Sequence, residues 1–290
     1  MDYSIAFPNL GIELEHVGKN IEVFGIDIAY YGIVIAIGMM VAMCYLSYET
    51  RRIQENSSLY FDFAIVVILC GFVGARLYYV AFSWDSYKND LLSIFNIREG
   101  GLAIYGGLIG AIIAAIIFTR IKKMNFWRAG DVAMPCVLIG QIFGRWGNFF
   151  NREAFGEYTD SLLAMRLPLD AVRYSDVTDL MRANSYDGYI QVSPTFLYES
   201  LWNLGVLIFL LILKKHKKFD GQIFWLYVLC YGLGRFWIES LRTDQLLLPV
   251  INIPVSMLVA AASVVGGTVM LVVMAKRNKK EARDINGLRN

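Results

Sequence analysis

Residues 144–156 read G-R-W-G-N-F-F-N-R-E-A-F-G and close a long apolar stretch with two arginines, two asparagines and a glutamate. Arginine within a hydrocarbon layer costs about 2.5 kcal/mol or more, so Arg145 marks a candidate functional site; the plain alternative is an arginine snorkelling from a helix end. A second polar set closes another apolar stretch, where Arg235, Glu239 and Arg242 stand at i, i+4 and i+7. That spacing puts all three on one helical face. Glu239 then either forms a structural ion pair with Arg235 or orients it, aiming a guanidinium fork at a phosphate in a way lysine could not reproduce.

The elements that must carry these residues are membrane spans. The chain has 290 residues, 57% of them apolar, and the apolar residues come in runs of about 20, the length that crosses a bilayer. Seven spans are predicted, at 26–48, 60–82, 101–119, 129–146, 195–213, 219–241 and 254–275, in a single all-α membrane domain. Of the 27 Lys and Arg, all but Arg76, Arg145 and Arg235, which lie inside or at the edge of spans, sort by loop. Arg51, Arg52, Arg120, Lys122, Lys123, Arg128, Lys214, Lys215, Lys217, Lys218 and the tail residues Lys276, Arg277, Lys279, Lys280, Arg283 and Arg289 share one side. Lys19, Lys88, Arg98, Arg152, Arg166, Arg173, Arg182 and Arg242 take the other. The richer side is expected to be cytoplasmic, which leaves the amino terminus outside and the basic tail 276–290 inside. Such a tail points to anionic headgroups and correct insertion, not to nucleic acid. The stretch before residue 26 lacks a basic segment followed by a short apolar core, so a cleaved signal peptide is not expected.

Cys44, Cys70, Cys136 and Cys230 all fall in apolar spans without paired spacing, which reads as buried thiols and not as a disulfide framework or metal site. Only His16 and His216 exist, one in the amino-terminal segment and one in a basic loop. Neither a metal cluster nor a Ser-His-Asp triad can be built from them within the membrane, and no cofactor is expected. The sizeable hydrophilic stretch, about 148–193, reads as a small outer head with short strands near 162–167 and 188–192. Glycines at 71, 74, 106, 107, 110, 140 and 144 suit close helix approach. A lesser reading makes Gly100, Gly101, Gly106 and Gly107 a flexible or re-entrant start to the third span.

Placed by depth at about 1.5 Å per helical residue, the polar residues gather on one side. Tyr30 and Tyr31 open the first span from outside, Arg76 lies in the outer part of the second, and Tyr105 stands near the outer start of the third. Arg145 and Asn148 end the fourth span, Tyr198 and Glu199 open the fifth, and Arg235, Glu239 and Arg242 close the sixth. Independent snorkelling would scatter charge over both faces; a shared outer-leaflet cavity gathers it on one. Several arginines in such a cavity read as a phospholipid headgroup site. The rival is a lipid or solute transporter, which would favour polar groups near the midplane and broken helices.

The pattern G-R-x-G-N-F-x-N-x-E-x-x-G at 144–156 resembles the signature of the bacterial prolipoprotein diacylglyceryl transferases. Further blocks resemble that family in order along nearly the whole chain: Tyr31-Gly32, G-A-R-L at 74–77, G-L-A-I-Y-G-G-L-I-G at 101–110, P-T-F-L-Y-E at 194–199 and Y-G-L-G-R-F at 231–236, followed by Glu239 and Arg242. The resemblance implies transfer of the diacylglyceryl group of phosphatidylglycerol to the lipobox cysteine of a prolipoprotein signal sequence, giving a thioether and glycerol 1-phosphate, at a bacterial plasma membrane. Set against the demands of that reaction, Arg145 is expected to take the donor phosphate, with Asn148 hydrogen bonding the headgroup. Arg235, positioned by Glu239, then lowers the acceptor thiol pKa or holds the leaving phosphate. Tyr31, Arg76, Asn151, Glu153, Gly156, Tyr198, Glu199 and Arg242 complete the expected substrate-binding set. Two positions depart from the family pattern: Tyr105 stands where many members carry histidine, and Phe196 where glutamine is frequent. A tyrosine with a reference pKa of about 10 suits a positioning hydrogen bond, leaving Glu153, Glu239 or a relayed water as base.

Overall fold

A computed structural model describes residues 4–96, 100–248 and 252–287. Arg98 and Arg289, counted above for topology, lie outside the described residues. The fold is mostly helical. Short strands β1 (Ile5–Phe7), β2 (Ile12–Leu14), β3 (Asn20–Val23) and β4 (Ile26–Ala29) precede α1 (Tyr30–Arg52) and α2 (Ser57–Phe82). The chain continues through α3 (Trp84–Tyr87), α4 (Ile104–Ile121), α5 (Phe126–Asn151), β5 (Met165–Pro168), α6 (Asp179–Ala183), β6 (Tyr189–Val192), α7 (Thr195–Leu213), α8 (Gln222–Glu239) and α9 (Val255–Gly287). Among the described residues five helices, α1, α2, α4, α7 and α9, are long and apolar enough to cross a membrane. Helices α5 and α8 have 26 and 18 residues but carry the polar groups singled out above.

Several boundaries differ from the expected spans. Residues 26–29 form β4 and not the start of a span. Helix α5 runs on to Asn151, so Asn148 and Asn151 are helical and not the start of the head. Helix α8 begins only after Gly221, whose φ of +92° is open to glycine at no steric cost, and ends at Glu239, leaving Arg242 beyond the helix.

The chain divides into two compact units, residues 1–42 with 134–290, and residues 43–133. In the first unit the head is a four-stranded sheet of order β2-β1-β5-β6, antiparallel throughout. The expected strands near 162–167 and 188–192 are β5 and β6; their partners β1 and β2 come from the amino-terminal segment, where no strand was anticipated. Two four-residue strands are marginal alone, and the added pair supplies the missing sheet. Beneath it Ile5, Phe7, Leu167, Met181, Ile190 and Val192 pack with Phe149 of α5, Phe155, and Phe196 of α7. The sheet therefore seats directly on the helix ends that carry the polar cluster.

Within the second unit, α2 and α4 touch along glycines. A Cβ on Gly74 would meet the Gly106 carbonyl oxygen at 2.6 Å, and one on Gly106 would strike Tyr78 and the Gly74 carbonyl. Close backbone approach is thus the use of these glycines. Gly100 and Gly101, at φ +87° and +78°, instead shape the turn entering α4, where the Ala103 N–H donates to Ala75 O at 3.0 Å.

Candidate functional site

In the first unit the antiparallel ends of α5, α7 and α8 bring four ionic side chains into one chain of contacts. Arg145 Nη2 lies 2.8 Å from Glu199 Oε1. The other oxygen of Glu199, Oε2, is 3.2 Å from Arg235 Nη1. Arg235 Nη2 in turn approaches Glu239 Oε2 at 2.5 Å, the i,i+4 pairing expected from the sequence. Ser256 of α9 donates its hydroxyl to Glu239 Oε1. Glu199 and Glu239 are 2% and 3% exposed, so these carboxylates depend on the arginines for compensation, and removing one partner of such a pair costs about 3–5 kcal/mol.

The network continues into the 144–156 segment. Arg145 Nη1 donates to Asn148 Oδ1 at 3.1 Å, and Asn148 Nδ2 donates to Glu153 Oε1 at 2.9 Å. Asn151 Nδ2 adds a second donor to that oxygen at 3.2 Å, while Arg173 Nη2 reaches Glu153 Oε2, also at 3.2 Å. Arg152, between them, adopts a left-handed conformation at φ +53° and is buried. It spends its guanidinium on backbone: Nη2 donates to Val17 O at 2.5 Å and Nη1 to Phe150 O at 3.2 Å. That turn ends the helix and points Glu153 back at the two asparagines.

Gly156 and Arg242 form an isolated antiparallel bridge, which ties the 144–156 segment to the chain leaving α8. A Cβ on Gly156 would lie 2.6 Å from Leu241 O and 3.0 Å from Ser193 Cβ, so glycine permits this approach. Arg242 itself turns to Asp244, with Nε to Oδ1 at 2.9 Å and Nη2 to Oδ2 at 2.7 Å. Burial pushes the Asp244 carboxyl upward, but the hydrogen bonds and charge of Arg242 outweigh it and hold the group below its ordinary value. Tyr31, at the start of α1, lies against Gly147, where any Cβ would overlap its ring. Tyr198 sits beside Trp237, ring centroids 6.3 Å apart, and is half-buried.

Arg76 and Tyr105 belong to the second unit. The Arg76 guanidinium meets five carbonyls: Nε to Ile94 O at 2.8 Å, Nη1 to Gly100 O and Gly101 O at 2.9 Å each, and Nη2 to Ser93 O and Asn96 O at 3.0 Å each. A guanidinium has five N–H groups, and here all five hold the segment between α3 and α4. Tyr105 stands half-buried in the first turn of α4.

Sequence reasoning grouped Arg145, Asn148, Glu153, Arg235 and Glu239, and the structure brings these together. It gave Glu199 only as one contact among several, whereas Glu199 is the shared partner of both arginines. Ser256, Arg173 and Asp244 were missed. Asp244 lies two residues from Arg242 and was legible; Ser256 and Arg173 reach their carboxylates only through the tertiary fold. Among the described residues no group of His, Cys, Asp and Glu is gathered as a metal ion would need. The arrangement offers two half-buried guanidinium groups at fixed separation beside a partly exposed carboxylate, suited to gripping an anion and taking up a proton next to it.

The family model described as prolipoprotein diacylglyceryl transferase matches residues 19–273. The chain is 40% identical over 256 residues to a phosphatidylglycerol–prolipoprotein diacylglyceryl transferase of Clostridioides difficile (strain 630), covering 88% of this chain and 94% of that one. It is 42% identical over 229 residues to the protein of that name from Listeria monocytogenes serotype 4b (strain CLIP80459), covering 78% and 79%. The like-named protein of Bacillus cytotoxicus (strain DSM 22905 / CIP 110041 / 391-98 / NVH 391-98) is 36% identical over 256 residues, covering 88% and 90%.

Proposed function

The chain belongs to the prolipoprotein diacylglyceryl transferase family, and we propose that its Arg145–Glu199–Arg235–Glu239 network grips the phosphate of the lipid donor. It is a membrane transferase that moves the diacylglyceryl group of phosphatidylglycerol to prolipoprotein. We place it in the bacterial plasma membrane with seven spans, adding α5 and α8 to the five apolar helices. The amino terminus then lies outside and the basic tail inside, as the loop charges favour. The network thereby comes to the outer leaflet, where the donor headgroup and the acceptor cysteine both present themselves.

The acceptor is the lipobox cysteine of the signal sequence. Its thiolate attacks the glycerol carbon that carries the phosphate oxygen: a sulfur–carbon bond forms, the carbon–oxygen bond breaks, and the electron pair leaves on glycerol 1-phosphate. Negative charge therefore grows on the departing phosphate monoester, where preorganised guanidinium groups act most strongly. Arg145 holds the donor phosphate, with Asn148 against its headgroup. Arg235, fixed between Glu199 and Glu239, follows the leaving group. Glu153 takes the thiol proton, because its side chain is 22% exposed against 4% for Glu239. Asn151, Arg173 and the Gly156 bridge fix Glu153 and its segment. Tyr31 positions a substrate group without exchanging protons.

The single observation behind this reading is Glu199 held by Arg145 and Arg235 together. Transfer of labelled phosphatidylglycerol to a lipobox peptide tests it. Arg145→Ala is expected to lose at least about 100-fold in turnover, the scale of a lost charge-stabilising donor. Full activity in a folded Arg145→Ala protein would remove Arg145 from the role.

A further inference from the structure

The β3–β4 hairpin presents an uncovered apolar face. Its register pairs Ile21 with Ile28 and Val23 with Ile26, and Glu22 with Asp27. Because neighbouring residues alternate sides and paired residues share one, Ile21, Val23, Ile26 and Ile28 make one face. Glu22 and Asp27 mark the other. Every residue of both strands is exposed. Two carboxylates directly across a ladder repel one another, which is tolerable only with that face in water. The aliphatic face is then turned away from water's side.

At the tip stands Phe24, 101% exposed. It and Gly25 have φ of +52° and +79°, the two left-handed residues of a tight hairpin turn that favours Asn-Gly. A phenylalanine is strained there and gains nothing from contacts within the chain. The hairpin is also mounted without a linker: β4 ends at Ala29 and α1, a helix fit to cross a membrane, begins at Tyr30. The Tyr30 N–H donates to Lys19 O at 2.9 Å across the hairpin base, and the Tyr30 ring stacks on Phe150 at 5.1 Å. Four strand residues reach about 13 Å, so the tip stays close to the level at which α1 leaves the hydrocarbon.

The geometry points to the outer-leaflet lipid surface as the occupant of this face: the hairpin lies on the membrane, with the Phe24 ring at the headgroup–acyl boundary and Glu22 and Asp27 toward water. Aromatic side chains favour that depth, and an isolated two-stranded hairpin needs such a surface to be stable. Since the carboxylates face away, the contact is apolar and insensitive to salt. It fixes the height of Tyr31 and the adjoining end of α5 against the headgroups. The inference rests on the placement of the α1 start at the outer face.

Nitroxide labels test it. Phe24→Cys, Ile26→Cys, Glu22→Cys and Asp27→Cys are made in a full chain whose Cys44, Cys70, Cys136 and Cys230 are serine, reconstituted in vesicles of phosphatidylcholine and phosphatidylglycerol. Labels at 24 and 26 are expected to relax several-fold more with oxygen than with an aqueous nickel chelate, at low and high salt alike, and labels at 22 and 27 the reverse. Nickel access at all four positions would overturn the inference, as would oxygen access at 24 and 26 that arises only when a lipobox peptide is added. Where labelling disturbs the turn, Phe24→Trp in vesicles of brominated lipid gives the same readout, with quenching beyond wild type expected and none counting against. Neither measurement needs turnover, so failure of the transferase mechanism leaves them standing. An impermeant thiol reagent on Lys217→Cys shows separately whether the sides are reversed.

Discussion

Glu199 carries more of the site than either arginine alone, because one buried carboxylate sets the distance between two guanidinium groups. In the proposed role, a phosphate entering this cluster meets charge already in place, and little reorganisation remains for the reaction itself. With Glu153 as acceptor, Tyr105→Phe is expected to lose less than about tenfold in transfer to a lipobox peptide, whereas a loss of about a thousandfold would make the tyrosine a proton carrier. The types and spacing of Arg145, Asn148, Arg235 and Glu239 were legible in the sequence, since charge in an apolar stretch is costly and i,i+4 spacing fixes one helical pair. The role of Glu199 was not, because its partners come from two other helices and no local spacing encodes them.

At the level of elements, α5 and α8 carry the ionic network, and the five apolar helices supply the apolar mass. Glycine marks where packing is tightest. Gly106→Leu is expected to destabilise the protein by about 2 kcal/mol or more in thermal unfolding, as overpacking does, since even a Cβ there would strike Tyr78 and the Gly74 carbonyl. Gly205→Ala, in α7 with nothing within 4 Å of the added Cβ, is expected to be neutral or mildly stabilising. Equal effects of the two changes would contradict the close α2–α4 contact. The segment after α8 is held by Arg242 and Asp244. A carboxyl whose folded pKa is depressed adds stability above its unfolded pKa of about 3.9, and that stability is lost as pH falls through the folded value. The melting advantage of wild type over Asp244→Asn is therefore expected at pH 7 and should fade below about pH 4; an advantage that grows in acid would reverse the sign.

For the whole molecule the decisive quantity is which loops face which side. Impermeant maleimide on intact cells should label Arg166→Cys, in the head, and spare Lys217→Cys, in the basic loop after α7; the opposite pattern would invert the topology. Apolar runs and loop charges made a helical membrane protein legible from the sequence alone, because bilayer thickness and the cost of buried charge act on each segment separately. The chain order of the family blocks likewise needs no fold. What only the tertiary structure decided is which polar groups meet: Ser256 on Glu239, Arg173 on Glu153, the amino-terminal strands completing the head sheet, and the five N–H groups of Arg76 spent on carbonyls. Those pairings join residues far apart in sequence, and a one-dimensional pattern records how much polarity a segment carries but not the direction in which each side chain finds its partner.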